Sequence, residues 1–311
     1  MENLDIPNGW KQHTRVGLVG YPIDHSLSPV IHTAAYEALG LDWEYGLYPC
    51  ENAAVFEAFV AEAAKRTGKE NGFLGLNVTM PYKSEAYACS NEVFAGGAGQ
   101  AAHTARAANA LSFEAGSELE AAQPLIRSAN TDGAGICRFL EREASLDLQG
   151  ISAIVCGTGP TSAAAAFELE QAGVASVVVL SRNAKGDGTI LSHFPVASYE
   201  DRDVLEQLCA ESSLIIDATP VGMKAGDGSV IPPELILPHH TVLDVVYGHG
   251  ETEILKAARA KGARGFDGLG MLIEQAALTI ELWATTLNLK VTAPREIMLQ
   301  AAQAELRRRS H

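Results

Sequence analysis

A short glycine turn in the second half of the chain has the pattern of a phosphate-binding loop. Gly157-Thr158-Gly159 directly follows a run of small and β-branched residues, 152–156, and directly precedes a predicted helix. In that setting a G-x-G turn brings a pyrophosphate against the N-terminus of the helix. Ser162 stands at the third glycine position and is small enough for close helix–strand packing. Pro160 suits a first helical turn but removes one N–H donor, and Thr161 could offer a hydroxyl to a phosphate.

The residue that would read the adenosine ribose lies about 20 positions beyond the third glycine position. That position is Arg182, in the segment Ser181-Arg182-Asn183-Ala184-Lys185. A carboxylate there would accept a hydrogen bond from the ribose 2′-hydroxyl and repel a 2′-phosphate. Two cations beside neutral polar groups favour the phosphate instead, so the sequence predicts NADP rather than NAD. The alternatives are a glycine turn that only redirects the chain and an arginine in a solvated loop.

A second group of polar residues follows a predicted strand in the first half of the chain. Thr79, Pro81 and Lys83 come directly after the apolar run 75–78. Ligands of open α/β sheets bind at the carboxyl ends of the strands, so these residues are candidates for a binding site. Taken alone, a lysine in the position of Lys83 is more often a solvated charge in a loop or at a helix start.

Strands and helices alternate through both halves of the sequence, which predicts an α/β fold. Short apolar and β-branched runs predict strands at 16–19, 45–48, 75–78, 152–156, 176–180, 214–217, 242–246 and 264–266. Helical spacing predicts helices at 30–39, 53–65, 162–171, 253–260 and 269–287. The pattern fails around 186–198, which we predict to be a loop insertion.

The composition excludes several classes of protein. The 311 residues suggest two domains, and 47% apolar residues can fill sizeable cores, which excludes a disordered chain. With 38 acidic against 23 basic side chains the net charge is −15, so nucleic acid would meet a repulsive mean field. Five widely spaced cysteines without a C-x-x-C pair favour reduced thiols over disulfides or zinc. We therefore expect a cytoplasmic protein with no metal, no export signal and no membrane span.

Six motifs follow one another along residues 20–275. The first is Gly20-Tyr21-Pro22-Ile23-Asp24-His25-Ser26-Leu27-Ser28-Pro29, and the glycine turn is another. The remaining four are Asn77-Val78-Thr79-Met80-Pro81-Tyr82-Lys83, Asn130-Thr131-Asp132-Gly133, Asp217-Ala218-Thr219-Pro220-Val221-Gly222-Met223, and Gly268-Leu269-Gly270-Met271-Leu272 with Gln275. Together with the glycine turn they resemble the motifs of the shikimate dehydrogenase family, which are G-x-P-I-x-H-S-x-S-P, N-V-T-x-P-x-K, N-T-D-G, [N/D]-A-T-P-x-G-M and G-x-x-M-L-x-x-Q.

The resemblance implies an NADP-dependent oxidoreductase that interconverts 3-dehydroshikimate and shikimate, a step of aromatic amino-acid biosynthesis. It implies two α/β domains with a cleft between them. A substrate domain spans 1–133 and is joined by a C-terminal helical segment at about 270–311, and a Rossmann-like, doubly wound NADP domain spans 134–269.

The resemblance also implies roles for individual residues. Proton transfer is assigned to Lys83 and Asp132. Substrate contacts by position are Ser26, Ser28, Asn77, Thr79, Asn109, Tyr247 and Gln275. Cofactor contacts by position are Gly157, Thr158, Gly159, Pro160, Thr161, Ser162, Ser181, Arg182, Asn183, Thr219, Val245 and Gly268.

These residue types suit the chemistry of a cyclic polyol acid. Such a substrate exposes several hydroxyls and one carboxylate, and short neutral side chains can donate to them and accept from them. A lysine can take the alcohol proton as hydride leaves, and a carboxylate can orient that lysine and complete a proton relay.

Several departures from the family pattern bear on specificity. Thr33, Ala110 and Gly248-His249 replace the usual Asn, Thr and Asn-Pro, and Pro160 replaces a glycine. A broad-substrate quinate/shikimate or aminoshikimate dehydrogenase is therefore the alternative enzyme. An NADP-binding sensor of low activity is the alternative from another class, although a sensor needs no proton relay. A small-molecule partner is expected, with the chain a monomer or a homodimer.

Overall fold

The computed structural model describes residues 14–69, 71–115, 123–182, 193–224 and 226–310. The chain divides into two compact units. Unit 1 comprises Met1–Thr131 together with Ile273–His311, and unit 2 comprises Asp132–Leu272. The chain therefore leaves unit 1 once and returns to it once, and the return confirms the predicted C-terminal helical segment of the first domain.

Strands and helices alternate along much of the described chain. The strands are β1 (Thr14–Gly20), β2 (Trp43–Pro49), β3 (Gly75–Val78), β4 (Glu92–Val93), β5 (Ala110–Glu114), β6 (Leu125–Ala129), β7 (Ser152–Cys156), β8 (Ser176–Ser181), β9 (Val196–Ser198), β10 (Leu214–Asp217), β11 (Thr241–Asp244) and β12 (Arg264–Phe266). The helices are α1 (Ser28–Leu39), α2 (Ala53–Lys65), α3 (Lys83–Cys89), α4 (Gly97–Ala105), α5 (Asp132–Arg142), α6 (Pro160–Gln171), α7 (Arg202–Glu211), α8 (Glu253–Lys261), α9 (Leu269–Thr286) and α10 (Arg295–Arg309). None of the helices within the described ranges is long and apolar enough to cross a membrane.

Unit 1 contains a six-stranded mixed sheet with the order β2-β1-β3-β5-β6-β4. β1 pairs in parallel with β2 and β3, whereas β5 is antiparallel to both β3 and β6. The C-terminal part of α9 contributes the largest fully buried side chain, Trp283, whose indole N–H donates to the Leu111 carbonyl at 2.9 Å. Gly75 of β3 faces this ring so closely that a Cβ there would collide with it. The core of unit 1 is thus completed by a segment that lies more than 150 residues further along the chain than β5.

Unit 2 contains a six-stranded, entirely parallel sheet with the order β12-β11-β10-β7-β8-β9. β7 is the first strand of unit 2, and β10 is the first strand of its second half. These two strands lie side by side at the centre of the sheet, which is the topology of dinucleotide-binding doubly wound sheets. Ile154, Ile215 and Val242 on neighbouring strands are fully buried, as expected for a parallel sheet covered by helices. The structure confirms the predicted α/β class with a Rossmann-like second half.

The prediction of a loop insertion at 186–198 is wrong for its last part. Val196–Ser198 forms β9, which pairs in parallel with β8 from Val179 to Ser181. The three residues are too few for a recognisable period, and only the neighbouring strand defines them as a strand. Residues 183–192 lie outside the described part of the chain.

Candidate active site

The predicted substrate contacts of unit 1 leave its sheet at a single edge. β1 ends at Gly20 before the serine turn, and the parallel β3 ends at Val78 before Thr79 and Lys83. Because β5 is antiparallel to β3, it begins at this same edge, directly after Asn109. Parallel and antiparallel pairing together thus bring segments distant in sequence to one place.

A network of neutral side chains occupies this edge. The Asn77 amide donates to the Asn109 carbonyl at 3.2 Å and to the Thr279 hydroxyl at 3.4 Å. Asn109 in turn donates to the Thr131 hydroxyl at 2.9 Å and to the Gln275 side-chain oxygen at 3.3 Å. All five side chains are buried, and none carries a formal charge. The structure therefore brings three of the predicted substrate contacts, Asn77, Asn109 and Gln275, into one cluster.

Two rings support this network from one side. The Tyr45 hydroxyl donates to the Asn77 side-chain oxygen at 3.0 Å. The His32 ring stacks on Tyr45 with the ring centroids 4.1 Å apart, and its Nδ1 lies 2.9 Å from the Tyr36 hydroxyl. Burial lowers the pKa of His32 to about 3, so the imidazole is neutral at physiological pH. The whole support is thus uncharged.

The serine turn is held by its own hydrogen bond and by the last helix. The Ser26 hydroxyl accepts a hydrogen bond from the Ser28 backbone N–H at 3.1 Å, as in a local turn motif. Arg309 of α10 donates to the His25 carbonyl at 2.6 Å and to the Ser26 carbonyl at 3.3 Å. Ser26 therefore has a structural contact in addition to its predicted contact with the substrate.

Lys83 and Thr79 are placed by main-chain hydrogen bonds. Lys83 is the half-buried first residue of α3, and its carbonyl accepts from the Ala108 N–H at 2.7 Å. Thr79 donates its N–H to the Val19 carbonyl at 2.9 Å. Both residues are thereby fixed at the sheet edge that carries Asn109, the residue after Ala108.

The glycine turn of unit 2 has the geometry that the sequence predicts. Gly157 has φ +104°, and a Cβ at this position would lie 2.9 Å from the Ser162 hydroxyl oxygen, so a larger residue does not fit. Ser162 is fully buried and donates to the Cys156 carbonyl at 3.4 Å, which closes the turn from inside. α6 begins at Pro160, so the turn ends in a helix N-terminus whose first N–H groups have no intrahelical acceptor.

The other predicted cofactor contacts follow strands of the same sheet. Because all six strands are parallel, their carboxyl ends share one edge. The Gly268 N–H donates to the Val246 carbonyl at 3.1 Å, and a Cβ on Gly268 would collide with the Val245 carbonyl, so these two loops are in close contact. At this edge lie the glycine turn after β7, Ser181 and the exposed Arg182 at the end of β8, Thr219 after β10, Val245 and the half-buried Tyr247 after β11, and Gly268 after β12. Asn183 lies outside the described residues.

Asp132 lies against the glycine turn. It is the first residue of α5 and is only 4% exposed. The Thr161 hydroxyl donates to Asp132 Oδ2 at 2.9 Å. The next residue, Gly133, touches the backbone of α6 at Ala164, where a Cβ would collide with the carbonyl oxygen. The sequence suggested that the Thr161 hydroxyl donates to a phosphate, but in the structure this hydroxyl donates to the Asp132 carboxylate.

Two further carboxylates are buried at the ends of neighbouring strands. Asp217 ends β10 and Asp244 ends β11, and they are paired in register. Burial raises the pKa of Asp217 to about 7, although hydrogen bonds from the Thr219 hydroxyl and N–H lower it, and Asp244 adds repulsion. Burial likewise raises the pKa of Asp244, against hydrogen bonds from the Thr252 hydroxyl and the Val246 N–H. These groups anchor the loops that carry Thr219 and Val245.

Three residues of this region were not predicted as site residues. Thr131 lies inside the N-T-D-G motif, and Thr279 lies one helical turn after Gln275, to whose carbonyl it donates at 3.0 Å. The spacing of Gln275 and Thr279 on α9 could have revealed the second of them. Arg309 carries no sequence signal for its contact with a turn more than 280 residues away. Within the described residues no cluster of His, Cys, Asp and Glu could hold a metal ion, and all five cysteines are free thiols.

Comparison with known proteins places these features in a family context. Residues 18–111 match the family model of the shikimate dehydrogenase substrate binding domain. The chain is 30% identical over 301 residues to the NADP(+) shikimate dehydrogenase of Methanopyrus kandleri, an alignment that covers 94% of this chain and 96% of the relative. It is 34% identical over 280 residues to the enzyme of the same name from Halothermothrix orenii, with 86% and 90% coverage. A crystal structure of the Thermus thermophilus shikimate 5-dehydrogenase in complex with NADP(H) and shikimate superposes with a TM-score of 0.76 at 28% identity, covering 94% of this chain and 99% of that one.

Proposed function

Because the chain belongs to the shikimate dehydrogenase family, we propose that it is an NADP-dependent oxidoreductase that reduces 3-dehydroshikimate to shikimate and catalyses the reverse oxidation. The relatives that carry this name match nearly the whole chain, and the Thermus thermophilus enzyme was crystallised with both NADP(H) and shikimate. The proposal extends the activity of those enzymes to this chain and assigns it to the residues described above.

The residues of unit 2 fit a dinucleotide. Gly157 leaves no room for a Cβ, which is the property that lets main chain approach a pyrophosphate, and a helix N-terminus follows it. Arg182 is exposed at the end of β8, where a guanidinium can pair with a 2′-phosphate. When bound, the cofactor would supply hydride as NADPH in the reduction and accept hydride as NADP+ in the oxidation. We assign its binding to Gly157–Ser162, Ser181–Asn183, Thr219, Val245 and Gly268.

The neutral network of unit 1 is the observation that carries the substrate assignment. A cyclic polyol acid offers several hydroxyls, and each can donate one hydrogen bond and accept others. Asn77, Asn109 and Gln275 supply neutral amide groups, which both donate and accept, in one buried cluster. We assign the ring hydroxyls to these side chains together with Thr79 and Tyr247. Ser26 and Ser28 are assigned to the carboxylate.

Lys83 and Asp132 are the proposed catalytic residues. In the oxidation, the lysine Nζ accepts the proton of the substrate hydroxyl while hydride leaves the carbon that bears it. In the reduction, the ammonium returns a proton to the oxygen. Asp132 has the partner role by its place in the N-T-D-G motif, where a carboxylate can orient the lysine and complete a proton relay. The half-buried position of Lys83 at the start of α3 fits a side chain that must reach a bound molecule.

We further propose that the protein acts in the cytoplasm, as a monomer or a homodimer, on a small molecule only. Its net charge of −15 opposes binding to nucleic acid or to an anionic membrane surface. The five free thiols fit a reducing compartment.

A steady-state panel tests the function. The purified chain is assayed with NADP and with NAD against shikimate, quinate and aminoshikimate, following the absorbance of the reduced nicotinamide. The highest kcat/KM is expected for shikimate with NADP. A higher kcat/KM for quinate would assign the chain to the broad-substrate alternative, and cofactor binding without turnover of any substrate would contradict the enzymatic proposal.

A further inference from the structure

The contact between Thr161 and Asp132 joins two helices of unit 2, α6 and α5, which belong to different sequence motifs. Thr161 is the second residue of α6, and Asp132 is the first residue of α5. The hydroxyl of Thr161 donates to Asp132 Oδ2 at 2.9 Å, a good length for a hydrogen bond to a carboxylate. The turn expected to bind phosphate is therefore hydrogen-bonded to the carboxylate expected to take part in proton transfer.

The packing of the two helices holds this contact in place. Gly133 approaches α6 so closely that even a Cβ would collide with the carbonyl of Ala164. α5 and α6 are thus in backbone contact one residue beyond Asp132 and three residues beyond Thr161. A threonine side chain is also restricted at χ1, because it is branched at Cβ. The packing of the two helices therefore keeps Thr161 and Asp132 within hydrogen-bonding distance of each other.

The hydroxyl has a single proton, which limits what Thr161 can do. While that proton is donated to Asp132, it is not available to a phosphate oxygen, and a phosphate diester has no proton to donate in return. The backbone N–H of Thr161 lies in the first turn of α6, where N–H groups can face an anion. The main chain of this residue can thus serve the phosphate turn while its side chain serves the carboxylate.

We infer that Thr161 is a positioning residue for Asp132. A carboxylate can rotate about its Cβ–Cγ bond, and the hydrogen bond to Oδ2 fixes its plane and so directs Oδ1. The inference rests on the proposed function, in which Asp132 is the partner of Lys83. It assigns to Thr161 an effect on the rate of the chemical step, and only a small effect on the affinity for the cofactor.

Removal of the hydroxyl tests the assignment. In Thr161→Val, which keeps the shape and the branching of the side chain, kcat for shikimate oxidation is expected to fall about 10–150-fold, the range for loss of one hydrogen bond to a charged group. The dissociation constant for NADP, measured by calorimetry, is expected to stay within about twofold. Thr161→Ser, which restores the hydroxyl, is expected to recover most of the rate. Thr161→Ala carries the same expectation as the valine variant and replaces it if that protein fails to fold.

Thr252→Val is the matched control. Thr252 also lies at the N-terminus of a helix and also donates to a buried aspartate, Asp244, at 2.6 Å. Its removal is expected to lower the melting temperature and to leave kcat per folded molecule close to that of the wild type. A merely structural role of Thr161 would make the two variants behave alike.

A double-mutant cycle shows whether Thr161 acts through Asp132. In an Asp132→Ala background, Thr161→Val is expected to have no further effect on kcat, because the group that it positions is gone. An unchanged kcat in Thr161→Val, a weaker affinity for NADP with kcat preserved, or an equal loss of rate in both backgrounds each overturns the inference. A wild-type protein inactive with every substrate of the panel overturns the proposed function and this inference together, whereas an active wild type with one of those three results overturns the inference alone.

Discussion

Replacing Asp217 by asparagine should make unit 2 more stable at alkaline pH and not at acidic pH. Burial raises the pKa of this carboxyl from an ordinary 3.8 to about 7 in the folded protein. The folded chain therefore binds a proton that the unfolded chain has already released, and between these two pH values stability falls as the pH rises. At 1.36 kcal/mol per pKa unit, the ionised carboxylate costs about 4 kcal/mol above pH 7, relative to the protonated form below pH 4.

Asparagine removes the charge and keeps the acceptor. The hydroxyl and the N–H of Thr219 both donate to one oxygen of Asp217, at 2.7 and 3.0 Å, and an amide oxygen can accept both. The stability gain of Asp217→Asn over the wild type is therefore expected to be small at pH 4 and to grow to a few kcal/mol at pH 8. Comparing the two proteins at each pH cancels the titration of the other carboxylates.

The assay is urea denaturation followed by far-ultraviolet circular dichroism at several pH values. Residues 132–272 contain no tryptophan, so tryptophan fluorescence reports on unit 1 and circular dichroism is needed for unit 2. Asp227→Asn serves as a control of opposite sign. Hydrogen bonds from the N–H groups of Gly222 and Lys224 lower the pKa of Asp227, so this variant should lose stability at neutral pH and recover in acid. A gain for Asp217→Asn that is the same at pH 4 and pH 8, or no gain at pH 8, would refute the reasoning.

Four further predictions concern catalysis, binding and acid stability. Lys83→Ala is expected to lower kcat by about 10²–10⁴-fold, the usual contribution of general acid–base catalysis, with the exposed Lys65→Ala as a control that retains activity; a wild-type kcat would remove Lys83 from proton transfer. Arg182→Ala is expected to weaken NADP binding by about 10–150-fold and NAD binding much less; equal losses in a titration with both cofactors would mean that it does not contact the 2′-phosphate. Ser28→Ala is expected to raise the KM for shikimate severalfold with the melting temperature nearly unchanged, because its N–H still donates to Ser26; a lower melting temperature with the KM preserved would leave only a role in the turn. Burial lowers the pKa of His32 from 6.5 to about 3, so the stability that this neutral imidazole contributes is complete above pH 6.5 and is lost as the pH falls toward 3. His32→Gln should therefore weaken the acid dependence of the unfolding free energy, measured by urea titration at several pH values. A pH profile identical to that of the wild type would contradict this prediction.

Two of the predicted strands are buried on both faces, and this burial makes them almost continuously apolar. Residues 152–156 and 214–217 were predicted with the bounds that the structure shows, and both lie at the centre of the parallel sheet. β5 and β6 were not predicted, because Ser112, Arg127 and Ser128 interrupt their apolar runs. Ser112 is fully buried, and its hydroxyl lies 2.9 Å from that of Thr286, a partner 174 residues away. A buried serine with so distant a partner looks like a loop residue in the sequence.

The candidate site also has one part that the sequence predicts and one part that it does not. Motifs identify the side chains, and the strand ends on which they lie follow from the predicted alternation. The direction of a hydroxyl does not follow, because it depends on which helices touch. Thr161 lies 29 residues from Asp132, and only the close approach of Gly133 to Ala164 brings their side chains together. The roles assigned to individual site residues stay predictions that the variants above can test.

The return of the chain to unit 1 has a consequence for the order in which the protein can fold during its synthesis. Unit 2 is one continuous stretch, Asp132–Leu272, so all its strands have been synthesised before Trp283 is added to the chain. The sheet of unit 1 is made earlier but lacks the indole that donates to Leu111 and packs on Gly75. Until α9 emerges, that apolar surface has no cover from its own chain, and exposed apolar surface in an incomplete domain favours aggregation. We therefore expect the part of unit 1 before Asp132 to be more prone to aggregate before α9 is made than after α9 has packed on it.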